Sequence, residues 1–167
     1  MGPVRRRIRP NSAHRVKARR APRCHNQRVK PPAPNDILQI MEELSPFNRH
    51  LGIRGEWIEK GRAVLLLPVR PEFVGDPRRP ALHGGVISSL IDAAGGAAAW
   101  SALAEGESVS TVDLLVDYLE PGRAHGTLRA EAELTRKGNR VCHVRVGVTQ
   151  DGVRVAEGRA VYNIHRR

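Results

Sequence analysis

Residues 81–96, Ala-Leu-His-Gly-Gly-Val-Ile-Ser-Ser-Leu-Ile-Asp-Ala-Ala-Gly-Gly, constrain this chain more than any other stretch. A His-Gly-Gly turn runs into an apolar helix, and from Val86 to Ala104 the one ionisable side chain is Asp92. A helix that is apolar on every side belongs in a core. An unpaired carboxylate there costs several kcal/mol of desolvation. Asp92 therefore reads as a chemical group, the alternative being a structural carboxylate bonded to a buried hydroxyl. Gly84 and Gly85 place backbone N–H groups at the helix N-terminus, which favours negative charge. An acid or base combined with an oxyanion-binding amide suits attack on a carbonyl. His83 reads as the residue that orients the turn.

Composition divides the chain in two. The formal net charge is +11, but the 28 Lys and Arg fall as 11 within residues 1–35 and 17 beyond them, and all 17 Asp and Glu lie beyond residue 35. Residues 1–35 form a basic, Pro-rich tail, too poor in apolar residues to offset the entropy of ordering, and are expected to be disordered. The tail reads as a polyanion-binding arm, a transit peptide, or a start placed upstream of a true beginning near Val29. Nucleic acid is a partner only if the tail is genuine. The neutral remainder, 36–167, is long enough for one domain with a real core. Cys24 and Cys142 make neither a disulfide framework nor a metal pair, and the seven histidines lack ligand spacing. No metal, cofactor or membrane span is expected, and a reducing cytoplasm fits.

The periodicity predicts an α+β domain. A short helix over residues 36–44 is capped by Asn35. Strands follow over 51–58 and 62–69, then a polar loop over 72–80 and the central helix over 84–103. Residues 108–119, 126–136, 140–149 and 153–164 read as an antiparallel meander wrapped around that helix. Leu128, Ala130, Ala132 and Leu134 face inward on one strand, and Cys142, Val144, Val146 and Val148 on the next.

The His-Gly-Gly motif, with Asp nine residues after the His, resembles the signature of hotdog-fold acyl-CoA thioesterases of the phenylacetic-acid-degradation (PaaI-like) type. The resemblance spans about residues 36–164 and includes Pro46-Phe47-Asn48-Arg49-His50-Leu51-Gly52 and the run from Ser110 to Pro121. It implies hydrolysis of a small or aromatic acyl-CoA, in a homodimer or homotetramer. Asp92 would serve as general base or as nucleophile, the Gly84 N–H as oxyanion donor, and Thr111 as the hydroxyl beside the acid. Gly85 and Asp76 are further substrate-binding candidates. The family's Asn or Gln six residues before the His is Pro77 here, a departure that puts its second polar contact in doubt. The loop Arg136-Lys137-Gly138-Asn139-Arg140 would contact coenzyme A phosphates, or else is a solvated turn. The second functional class is a non-catalytic acyl-CoA-binding hotdog module, and the discriminating measurement is coenzyme A release.

Overall fold

A computed structural model describes residues 34–166 apart from Pro77. The basic tail before residue 34 and the departure at position 77 lie outside the described residues. Helix α1 (Pro34–Gln39) passes into a π-helical turn (Ile40–Leu44) and, after Ser45, into α2 (Pro46–Leu51). The hairpin β1 (Arg54–Glu59) and β2 (Arg62–Pro68) leads through a 3-10 turn (Pro71–Phe73) to a small hairpin, β3 (Val74–Asp76) and β4 (Arg79–Leu82). Then come α3 (Gly84–Ser101), β5 (Glu107–Tyr118), β6 (Thr127–Lys137), β7 (Val141–Gln150) and β8 (Val153–Arg166).

Several expectations need correction. The first helix starts at Pro34, so Asn35 lies inside its first turn rather than capping it, and its second half is π-helical. Residues 46–51 form a helix the periodicity did not predict, so Leu51 ends a helix rather than opening a strand, and β1 begins at Arg54. Ser45 accepts from the Asn48 N–H, Pro46 opens the helix, and Gly52 closes it at φ 77°. The polar loop over 72–80 contains the β3–β4 hairpin.

The main sheet is antiparallel throughout, in the order β1-β2-β6-β7-β8-β5. Only β6–β7–β8 form the expected meander. β5 crosses to the far edge and pairs with β8. This order lets β2, β6, β7, β8 and β5 all pack on α3, burying Ile87, Leu90, Ile91, Ala94, Ala97 and Ala98. Inward Leu128, Ala130, Ala132, Val144, Val146 and Val148 complete that core, as the alternation requires. Gly158 makes the closest approach possible, because a Cβ there would stand 2.4 Å from Ile91 Cγ2. Among the described residues no helix is long and apolar enough to cross a membrane.

Candidate active site

The start of α3 is held from several directions. The His83 N–H donates to the Phe73 carbonyl at 2.8 Å, and Leu82 N–H to the Gly122 carbonyl at 2.8 Å. His83 is extended (φ −66°, ψ 128°) and caps the helix: its Nδ1 accepts from the Gly85 N–H at 2.9 Å. In a neutral ring the proton then sits on Nε2. Gly85 N–H is thereby occupied. Gly84, the first helical residue, has no carbonyl within the helix to which its N–H could donate. Its own carbonyl accepts from Tyr118 Oη at 3.1 Å and from Ser88 Oγ at 3.2 Å, and the two hydroxyls lie 2.6 Å apart. Sequence periodicity gave no sign of this Ser88–Tyr118 support.

α3 is not buried all round. Gly85, Ser88, Ser89, Asp92, Gly96 and Trp100 recur three or four residues apart, and this stripe stays half-buried or exposed. Asp92 lies on the stripe, so it is a half-buried carboxylate rather than one sealed in a core. Ser89, Asp92, Gly96 and Trp100 of the stripe line a cavity of about 440 Å³, together with Ile40, Met41, Phe47, Asn48, Val109, Ser110 and Thr111. Its polar groups converge on a largely apolar space, the usual make-up of a small-molecule site.

Thr111 Oγ1 donates to Asp92 Oδ1 at 2.7 Å. A β-bulge makes this possible. Thr111 pairs with Tyr162 and Asp113 with Val161, which leaves Val112 as the extra residue. The bulge changes the parity of β5: Val109 and Thr111 line the cavity, while beyond it Leu114 and Val116 pack on the core. Without the bulge Asp113 would take an inward place. Tyr162, 1 % exposed, donates to the Asp92 carbonyl at 2.9 Å. Burial first, then the Asp92 charge, push its phenol far above the usual tyrosine value, so it remains a donor.

The remaining sequence candidates lie elsewhere. Asp76 is committed to Arg78, accepting from its backbone N–H at 3.0 Å and from its guanidinium at 3.0 and 3.1 Å. Those bonds hold its carboxyl below the usual range, and it is not part of the Asp92 cavity wall. The 136–140 loop sits at the opposite end of α3 from Gly84. Lys137 Nζ donates to the Ala102 carbonyl at 2.8 Å, and Asn139 accepts from Arg166. Ala102 is ten residues beyond Asp92, about 15 Å along the axis. Lys137 and Asn139 are thus structural ties, whereas Arg136 and Arg140 are exposed. Gly138 is the half-buried turn residue between them.

Comparison with known proteins agrees with the fold and the motif. The sequence profile of the thioesterase superfamily matches residues 80–157. The medium/long-chain acyl-CoA thioesterase YigI of Salmonella typhimurium is 38 % identical over 133 residues, covering 71 % of this chain and 85 % of the relative. Its Escherichia coli counterpart is 37 % identical with the same coverage. Among solved structures, the Escherichia coli PaaI protein from the phenylacetic acid degradation operon superposes with a TM-score of 0.68 at 25 % identity, covering 75 % of this chain and 88 % of that one. A thioesterase family protein from Silicibacter pomeroyi gives 0.71 at 25 % identity, covering 80 % and 98 %. With that identity spread along most of the chain, the protein belongs to the thioesterase superfamily and is a PaaI-like, hotdog-fold thioester hydrolase.

Proposed function

We propose that the substrate is an acyl-CoA whose acyl chain is aliphatic and of medium length or longer. The observation that carries this is Asp92, gripped by Thr111, in the wall of a cavity lined by Ile40, Met41, Phe47, Trp100 and Val109. The names of the YigI relatives specify medium and long chains and support the same reading. The small or aromatic acyl group expected from the motif is the second reading, favoured by the phenylacetic acid operon of the PaaI neighbour and by Phe47 and Trp100 in the cavity lining.

In this reading Asp92 takes a proton from water as its oxygen attacks the thioester carbon. The carbonyl electrons move onto oxygen, facing the Gly84 N–H at the positive end of α3. Collapse breaks the C–S bond, and the departing thiolate takes up the proton held by Asp92, which releases coenzyme A and the free acid and restores the carboxylate. The alternative is direct attack by Asp92 Oδ2, giving an anhydride that water then opens. His83 holds the turn through Gly85, and Arg136 and Arg140 are left to meet the coenzyme A phosphates. The active unit is a homodimer with each site shared between two chains. A cytoplasmic setting belongs to the same reading, supported by the buried free thiol of Cys142.

Coenzyme A release from acetyl-, octanoyl-, palmitoyl- and phenylacetyl-CoA tests the proposal. We expect octanoyl or palmitoyl to give the highest kcat/KM, and Asp92→Asn to lose about 10²–10⁴-fold, the usual contribution of a general base. An optimum at acetyl or phenylacetyl overturns the chain-length assignment. Binding without turnover would favour the acyl-CoA-binding module.

A further inference from the structure

Among the described residues, most polar side chains that line the Asp92 cavity already hold a hydrogen bond. Ser45 Oγ accepts from the Asn48 N–H, Ser89 Oγ donates to the Gly85 carbonyl at 2.8 Å, and Ser110 Oγ lies 2.6 Å from His165 Nε2. Thr111 and Tyr162 are both spent on Asp92. The Trp100 indole N–H and the Asn48 carboxamide hold none, and of the two only the carboxamide can both donate and accept. The Asn48 backbone works for α2: its N–H goes to Ser45, and its carbonyl accepts from the Ile53 N–H at 3.0 Å. Its carboxamide makes no hydrogen bond to any described residue, although Asn48 is only 8 % exposed and lines the cavity.

A carboxamide offers two N–H donors and a carbonyl acceptor; those of Asn48 still reach solvent through the cavity mouth, and leaving them unpaired once a ligand displaces that solvent is costly. A plain alkyl chain filling this cavity would expel water and strand the amide. A chain bearing oxygen would pair it. We propose that Asn48 is a specificity-determining residue, and that this site selects acyl-CoA thioesters whose acyl chain carries a hydroxyl or keto oxygen at the level of Asn48. The proposal rests on the acyl-CoA thioesterase reading and deepens it. Sites that hydrogen-bond a substrate group discriminate against analogues lacking it far more strongly than apolar pockets discriminate on size.

The test walks a hydroxyl or keto group along octanoyl-CoA and measures coenzyme A release. At one chain position we expect wild-type kcat/KM to exceed that for plain octanoyl-CoA by about tenfold or more. Asn48→Leu should cross this preference, with oxygenated substrates falling and plain octanoyl-CoA rising. Asn48→Asp keeps the shape but loses the donors. It should retain the hydroxylated substrate, which can donate to a carboxylate, and lose the keto one, which can only accept. Reading hydroxyl against keto within one variant keeps the comparison valid if overall activity or stability shifts. The proposal is overturned if wild type prefers no oxygenated position, or if Asn48→Leu lowers plain and oxygenated substrates by the same factor. Turnover that depends on Asp92 with either of those results sinks this inference alone. Absence of Asp92-dependent turnover on every substrate sinks the thioesterase mechanism itself.

Discussion

Thr111 and Tyr162 face each other across the β5–β8 ladder, and the two hydroxyls of that one rung take hold of Asp92 at both ends. Thr111 donates to the carboxylate and Tyr162 to the backbone carbonyl. The sheet therefore fixes the position of the acid on the helix as well as the direction of its side chain. The phenol stays protonated, because burial raises its pKa. Tyr162→Phe should cost about 1 kcal/mol, the net worth of an ordinary hydrogen bond, with no dependence on pH over the stable range. Urea titrations at two pH values check this, and a loss present at only one of them contradicts it.

Gly95 gives Tyr162 its room. A Cβ at residue 95 would stand 2.3 Å from the phenol oxygen and 3.1 Å from the ring carbon bearing it. Gly95→Ala should destabilise the fold by about 1–3 kcal/mol through overpacking. Added to Tyr162→Phe it should cost less than the sum of the two single changes, since the oxygen that clashes is gone. A double-mutant cycle of thermal melts measures the coupling; strict additivity would mean that the phenol is not what confines residue 95.

Much of this was legible in the sequence, for identifiable reasons. The inward positions of β6 and β7 follow from alternation, since one face of each strand meets α3. The His-Gly-Gly-to-Asp spacing placed Gly84 and Asp92 on one helix, and α3 carries both. β5 was harder: its inward residues are 109 and 111, then 114 and 116, a change of parity that a period-two reading cannot contain. The route of β5 to the far edge is a long-range pairing with no local signal. α2 was missed, although Ser45-Pro46 followed by Gly52 is a readable start and stop. Asn48 went unnoticed with it, because a polar residue on a short helix looks like a solvent-facing one until a cavity forms above it.

Glu107 ties the start of β5 to the end of β8. The Ala104 N–H first and the Arg166 guanidinium second hold its carboxyl below the ordinary glutamate value of 4.5, with Lys137 assisting at 3.6 Å. A depressed folded pKa means stability that is present above the unfolded value and is lost as pH falls through the folded one. Glu107→Gln should melt below wild type at neutral pH, and the gap should close as pH falls below the ordinary glutamate value and the carboxylate is protonated. A gap that persists unchanged into acid would show that the carboxylate charge is not its source.

Removal of residues 1–33 should leave melting temperature and turnover nearly unchanged, because the described residues alone build a continuous core and line the Asp92 cavity. Any affinity for polyanions should disappear with those residues, and in the full chain should fall steeply with salt. Affinity retained after truncation would place it on the folded domain.

Gly84 and Asp92 are eight residues apart on one helix, about 12 Å along the axis and about 80° apart in azimuth. A base and an oxyanion donor must each come within about 3 Å of one thioester group, or one water away for the base. A single α3 does not satisfy both. Two antiparallel copies side by side do, because the start of each helix then faces the middle of the other in an isologous pair. The surface leaves room for such pairing: Gly85 at the start of α3 is exposed, and the edge strand β5 exposes Val112 at 64 % and Tyr118 at 52 %. Gly84→Pro removes one N–H; its Cβ would stand 3.1 Å from Tyr118 Cζ and Oη, so Gly84→Ala, which keeps the N–H, is the control for that contact. Proline is accepted at the first helical position, and the preceding His83 already has the extended conformation proline demands. Each single variant, Asp92→Asn or Gly84→Pro, should be inactive by itself. Co-refolded mixtures should regain activity, since a heterodimer pairs one intact Asp92 with one intact Gly84 at one of its two sites. If heterodimers form, as native mass spectrometry would show, and no activity returns, the shared site is excluded.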